Sequence, residues 1–297
     1  MSEPFLHIED VYKRYGERQV LDNVDLKVAQ GELCSLVGPS GCGKSTLLRL
    51  ILGQERASAG QIRIEGQPVG YPDVDRGVVY QKYSLFPHLT VLDNVTLGPR
   101  LRAGFLERRA KRRLFEEQAL ELLREVSLQD SARKYPHELS GGMRQRVAVV
   151  QALIMSPRVL LMDEPFGALD PGTREDIQLF LLELWEHHRM TIFLVTHDLE
   201  EAAFLGTRML VMSQYYTDDR GDAPSVNRGA RIVADYHLQR GERRAKSTQD
   251  KLSPEFVQLL ENVRREGFDP SYRRHVSEFN LRHPHSFRTL TPEEQRG

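Results

Sequence analysis

The sequence predicts an α/β fold, with a parallel core, an antiparallel strand set ahead of it and a helical segment inserted into it. Three observations carry this. Residues 33–52 run strand, glycine-rich turn, helix, the opening of a parallel α/β unit. Residues 4–33 alternate apolar and polar side chains with a period of two. Residues 91–155 turn to helical spacing, after which short apolar runs return at 159–162 and 191–196.

In the first segment Val20, Val24, Leu26 and Val28 share one face, as antiparallel strands require. Leu33-Cys34-Ser35-Leu36-Val37 then enters the glycine turn, and residues 45–52 leave it as an apolar helix. Ile62-Arg63-Ile64 and Val78-Val79-Tyr80 read as further strands. Residues 108–126 are a charged helix carrying Leu114, Leu120, Leu122 and Leu123. The next helix starts at Ser140, sets Met143, Val147, Val150 and Ile154 on one face, and stops before Pro157. A helix over 175–188 separates the two later apolar strands, and its Trp185 reads as packing. Residues 208–213 and 230–236 flank the polar segment 214–229 as a late hairpin. A last helix is capped by Ser253, begins with Pro254 and is expected to stop at Gly267. Residues 268–297 have no periodicity and read as a tail.

The 297 residues are 40% apolar and 28% charged, which excludes disordered, collagen-like and disulfide-framework chains. A net charge of −1 gives no global pull toward nucleic acid or an anionic membrane. The two cysteines, Cys34 and Cys42, suit a reducing compartment. No stretch approaches the ~20 apolar residues that cross a bilayer, and the acidic start lacks an apolar signal segment. The chain therefore reads as cytoplasmic, and any membrane spans belong to another chain.

Gly38-Pro39-Ser40-Gly41-Cys42-Gly43-Lys44-Ser45 fits G-x-x-x-x-G-K-[ST] between a strand and a helix. Its glycines let successive N–H groups turn inward as an anion nest, and the helix start adds its positive dipole end. In such a loop Lys44 reaches the β- and γ-phosphates and Ser45 gives a hydroxyl to Mg²⁺. Cys42 fills a variable position and is expected to be structural. Val159-Leu160-Leu161-Met162-Asp163-Glu164 ends a buried strand in two carboxylates, one suited to Mg²⁺ and the other to polarising an attacking water. Leu139-Ser140-Gly141-Gly142-Met143-Arg144-Gln145-Arg146 offers a capping hydroxyl and a bare first turn, a second phosphate-binding surface. Phosphate clamped between two copies of the chain would use both surfaces.

With these motifs the sequence resembles the ATP-binding subunits of ABC transporters, over about 4–215 and more weakly to about 267. The resemblance implies a P-loop ATPase core, an antiparallel β subdomain, an α-helical subdomain over about 90–156 and a C-terminal extension. The ATPase domain would span 1–267, with the late hairpin and helix over about 208–267 and the tail over 268–297. Residues 38–45 resemble Walker A, with Thr46 after them also expected to bind nucleotide, and 159–164 resemble Walker B, with Asp163 on Mg²⁺ and Glu164 catalytic. Residues 139–145 resemble the ABC signature, so Ser140, Gly141 and Gly142 would bind phosphate, although Met143 stands where glutamine is commonest. Asp170 matches the D-loop, Gln81 the Q-loop glutamine beside Mg²⁺ and the water, and His197 the switch histidine. Tyr15 matches the aromatic that stacks on adenine, with Tyr12 as its competitor.

The stretch 80–94, YQKYSLFPHLTVLDN, resembles importers of the nitrate, sulfonate and taurine type. There the segment after the Q-loop receives a cytoplasmic helix of the membrane permease, which implicates Tyr83, Leu85, Phe86 and His88. A core role for Leu85 and Phe86 stays open. The implied partners are a second ATPase copy (identical or a close paralogue), the permease pair and, indirectly, a substrate-binding protein, with no nucleic acid. The implied place is the cytoplasmic face of the cell membrane, with ATP and Mg²⁺ as cofactors. ATP would close a head-to-tail dimer through Lys44 of one copy and Ser140 of the other. The alternative is a soluble ABC ATPase working on a nucleic-acid or ribosomal complex. Repair types need a long coiled-coil insertion and translation types two ATPase units, and neither is present. A non-hydrolysing regulator sits poorly with the full set Gln81, Glu164 and His197. Arg108, Arg109, Lys111, Arg112 and Arg113 read as a solvated helix face, or else as a contact for lipid headgroups or a membrane partner. His283-Pro284-His285 lacks the companion ligands of a metal site.

Overall fold

Leu6–Tyr15 (β1) and Arg18–Val28 (β2) pair antiparallel, and Ala59–Ile64 (β4) and Gln67–Pro68 (β5) extend the sheet in the order β2-β1-β4-β5. Three register shifts interrupt the β1–β2 pairing; Asp10 (φ 53°) and Asn23 (φ 48°) sit at two of them, and the Asp10 N–H donates to Asp25 Oδ1 at 2.7 Å. The computed structural model describes residues 4–81, 84–220, 228–238 and 253–290. The chain divides into two compact units, residues 1–72 with 190–297, and residues 73–189.

The first unit adds a mixed sheet to the antiparallel one. Leu33–Val37 (β3) is buried along its whole length and pairs parallel with Thr191–Val195 (β8) and with Arg208–Ser213 (β9). This is the near-continuous apolar run expected of a strand covered on both faces. Arg231–His237 (β11) returns antiparallel to β9, and Asn280–Leu281 (β13) adds parallel to β11. Lys44–Leu52 (α1), Leu199–Leu205 (α7) and Pro254–Phe268 (α8) belong to this unit. Tyr216–Thr217 (β10) pairs with Arg274–His275 (β12). The late hairpin is therefore present, and part of its polar loop is a strand.

Two readings change. Gly267 does not stop α8, which is capped by Ser253 as expected but runs on through Phe268. A Cβ at Gly267 would meet Val211 Cγ1 at 2.4 Å, so this glycine lets the helix lie close on β9. Residues 268–297 were read as a tail, but within them β12 pairs with β10 in a two-stranded sheet and β13 adds an edge strand beside β11. Their pairing segments are two residues long and carry no period that a sequence could display.

In the second unit Arg76–Tyr80 (β6) and Val159–Asp163 (β7) run parallel, with Tyr80 opposite Asp163. Val91–Arg102 (α2), Phe105–Ala110 (α3), Arg112–Glu125 (α4), Gly141–Leu153 (α5) and Pro171–His188 (α6) supply the helices. The charged stretch read as one helix breaks at Lys111 into α3 and α4. Helix α6 starts at Pro171 rather than 175, because Asp170 accepts from Thr173 N–H and Pro171 fits the first turn. Among the described residues no helix is long and apolar enough to cross a membrane.

Candidate functional site

In the first unit the glycine loop and His197 leave the same ends of two neighbouring parallel strands, since Leu36 pairs with Val195. Gly38 sits where a Cβ would meet the Met212 carbonyl oxygen at 2.2 Å, so the loop can bend only without a side chain. Gly43 (φ 107°) caps α1 with no side-chain oxygen, which leaves the first N–H groups of the helix facing the loop. The Lys44 ammonium is buried and donates to Gly38 O at 2.6 Å and Pro39 O at 3.0 Å, so it lies across the loop. Ser40 and Gly41 are exposed, Pro39 and Ser45 half-buried, and Thr46 buried. Cys42 is buried and its thiol is pushed up by that burial, which fits a structural residue. His197 is exposed, immediately before Asp198, whose carboxylate caps α7 through Glu200 N–H and Glu201 N–H.

Tyr15 stands at the end of β1 with its ring 43% exposed. Its hydroxyl donates to Glu55, the Lys13 ammonium lies 4.8 Å from the ring centroid, and Lys13 and Arg49 pair with Glu55 at 2.9 and 3.1 Å. Tyr15, then Lys13, hold the Glu55 carboxyl below the usual carboxylate range. Tyr12 is half-buried and its phenol is pushed up, first by burial and then by Asp10. Tyr15 is thus the ring presented to solvent.

The second unit gathers two groups. Gln81, Asp163 and Glu164 emerge from adjacent ends of β6 and β7. The Gln81 amide lies 3.1 Å from where a Cβ of Gly167 would stand, so it rests on the turn that follows Glu164. That turn is closed by Gly167 N–H donating to Glu164 O at 3.3 Å, and Glu164 adopts a left-handed φ of 48°. The second group is a pair of helix starts. Ser140 caps α5 by accepting from Met143 N–H at 3.3 Å, and Asp170 caps α6 at 3.1 Å, a bond that holds its carboxyl low. Gly142 is buried, and its Cβ would meet Thr173 Cγ2 at 2.5 Å. Half of the first turn read as bare is thus packed against α6, and this close approach sets the two caps side by side. Ser140 is exposed and Gly141 half-buried.

Tyr83 lies outside the described residues. Leu85 is half-buried, while Phe86 and His88 are exposed with ring centroids 5.9 Å apart. Asn94, unassigned by the sequence reading, organises this segment from a fully buried position. Its side chain accepts from Phe86 N–H at 2.7 Å and donates to the carbonyls of Phe86, Leu89 and Thr90. An open groove lies alongside, lined by Val78, Tyr80, Ser84, Ala148, Ala152 and Met155.

Residues 21–167 match the model of a family described as ABC transporter. The chain is 45% identical over 256 residues to the taurine import ATP-binding protein TauB of Rhizobium johnstonii, covering 84% of this chain and 90% of that one. It is 39% identical over 274 residues to the nitrate import ATP-binding protein NrtD of Synechococcus elongatus, covering 91% and 92%. Among solved structures, cbiO1 of Clostridium perfringens, part of the ABC transporter complex cbiONQ, aligns with a TM-score of 0.67. That likeness is one of fold, at 21% identity over 89% of this chain and 96% of that one.

Proposed function

This chain belongs to the ABC transporter family, and from that premise we propose that it is the ATP-hydrolysing subunit that powers uptake of a small polar solute through a membrane importer. The observation that carries the reading is the likeness to import ATP-binding proteins, which extends over 84% and 91% of the chain rather than over the ATPase motifs alone. The relatives' names, one for taurine and one for nitrate, support the class of solute, a small polar molecule, and favour transport over work on a nucleic-acid or ribosomal complex.

In this reading the glycine loop wraps the phosphates with backbone N–H groups, and Lys44 turns from its loop carbonyls to the β- and γ-phosphates. Tyr15 stacks on the base. Ser45, Asp163 and Gln81 each carry an oxygen donor of the kind Mg²⁺ takes, and in this reading they would hold that ion. Bound there, Mg²⁺ neutralises charge on the phosphate oxygens. Glu164 accepts the proton of the attacking water, Gln81 orients that water, and His197 contacts the γ-phosphate. Ser140, Gly141 and Gly142 meet the ATP of a second copy, and Asp170 stands next to them at the dimer face. The groove beside Phe86 and His88 takes a cytoplasmic helix of the permease, an aromatic and aliphatic seat of the kind that suits an amphipathic helix. The subunit works as a peripheral protein on the cytoplasmic face of the membrane.

The test is mild detergent capture of the tagged chain from its own cells, with mass spectrometry of what stays bound. A multi-span membrane protein at about one copy per ATPase is the expected result. Ribosomal or DNA-repair components without any membrane protein would leave the ATPase chemistry standing and overturn the transport assignment.

A further inference from the structure

We propose that the arginine-rich surface of residues 100–113 is a docking surface for anionic lipid headgroups. The chain as a whole has a net charge of −1, yet these 14 residues hold seven cations and one acid, Glu107. They form the end of α2, all of α3 and the start of α4. An ordinary solvated helix face interleaves opposite charges at three- and four-residue spacing. The charges here are segregated instead: 100–113 holds one such pair, Glu107 with Lys111, and the rest of α4 is the reverse, with Glu116, Glu117, Glu121 and Glu125 against a single cation, Arg124.

The counter-charges within reach are few. Asp93 pairs with Arg100 at 3.1 Å, Glu107 with Lys111 at 2.5 Å and Glu116 with Arg112 at 2.8 Å. Arg108 donates to the carbonyls of Ala103 and Leu101. Arg102, Arg109 and Arg113 are exposed and have no hydrogen bond or ion pair among the described residues. Leu101 is 62% exposed and Leu114 47% exposed at the two ends of the same surface. Free guanidinium groups flanked by exposed aliphatic side chains match a headgroup layer, which is anionic outside and apolar beneath.

The position favours lipid over protein. Met155 lines the groove assigned to the permease helix and also the next groove, which Pro99, Arg102 and Lys111 border. The cationic surface therefore adjoins the groove assigned to the permease. Cytoplasmic loops of membrane proteins carry excess Lys and Arg, so the permease offers like charge, and the complementary surface beside it is the anionic leaflet. This placement rests on the importer reading; the lipid contact itself does not.

The experiment is vesicle flotation of the purified full chain. One set of vesicles is phosphatidylglycerol with an equal part of phosphatidylcholine, and the other is phosphatidylcholine alone. The wild type is expected to float with the anionic vesicles only and to be released by high salt. The triple variant R102A/R109A/R113A is expected to lose about a hundredfold in apparent affinity, on the order of fivefold per cation, with ATP hydrolysis unchanged. R102K/R109K/R113K is expected to float like the wild type, and salt release of the wild type tests the charge contact even if the alanine variant folds poorly. Equal flotation of wild type and alanine variant, equal flotation with neutral vesicles, or no flotation would each overturn the proposal. So would an alanine variant that floats normally but captures no permease, since the surface would then be a protein contact. Flotation without any captured permease in wild-type cells would instead sink the importer reading and leave the lipid surface standing.

Discussion

Glu164 shows how a motif residue and its backbone are tied together. It holds a left-handed φ of 48° in a turn closed by Gly167, a conformation that costs a non-glycine residue on the order of 1–3 kcal/mol. Glutamine keeps the shape, and so the turn, while removing the proton acceptor. Glu164→Gln is therefore expected to bind ATP normally, to lower turnover by about a hundredfold or more, and to accumulate as an ATP-dependent dimer on size exclusion. Hydrolysis at the wild-type rate would remove Glu164 from the role of general base. At this scale the motif residues were legible, because each sits in a short pattern whose chemistry is fixed by its neighbours in sequence. Glu55 and Asn94 were not. Glu55 acts on Tyr15 from 40 residues away, and Asn94 works by gathering backbone carbonyls that no sequence pattern marks.

The elements followed the sequence where burial was continuous or periodic. Strands β3, β7 and β8 were visible as apolar runs, and α5 and α8 by their Ser140 and Ser253 caps and flanking prolines, whereas the Asp170 cap of α6 was missed and that helix was started four residues late. The reading erred where a glycine does packing rather than turning. Gly267 looked like a stop, but it is the contact of α8 with Val211. Gly267→Ala gains about 1 kcal/mol of helix propensity, and its methyl must push against Val211 Cγ1 at 2.4 Å. The clash is expected to win, with a net loss of about 1–3 kcal/mol in urea denaturation. Val211→Ala removes that contact atom, so the two substitutions should be less than additive. Stabilisation by Gly267→Ala alone would show that α8 is free to move off β9.

At the scale of the whole chain, the first unit is closed by residues far apart in sequence, and this was not legible at all. Arg208 is fully buried, gives Asp235 two bonds at 2.8 and 2.6 Å, and donates to Lys27 O and Glu32 Oε2. The C-terminal segment completes that network. His283 Nε2 meets Glu32 at 3.2 Å, Ser286 donates to Asp235, and Thr289 donates to Asp25 through both its N–H and its hydroxyl, 264 residues away in sequence. Val276 is buried with Val211, Tyr236 and Val263, and the Phe279 ring meets Tyr216 edge-on at 5.8 Å. Each of these side chains looks unremarkable in sequence, because its partner lies on another strand of the sheet. Removing residues 276–297 would take the two Thr289 donors from Asp25 and the Ser286 hydroxyl from Asp235, and would uncover the Tyr216 ring. Hydrogen bonds to charged groups contribute about 1.5–3 kcal/mol each, so the unfolding free energy is expected to fall by at least about 3 kcal/mol. Urea denaturation followed by far-ultraviolet circular dichroism reads this directly. A truncated chain with the wild-type midpoint would mean that the buried arginine cluster holds the sheet without the segment laid over it.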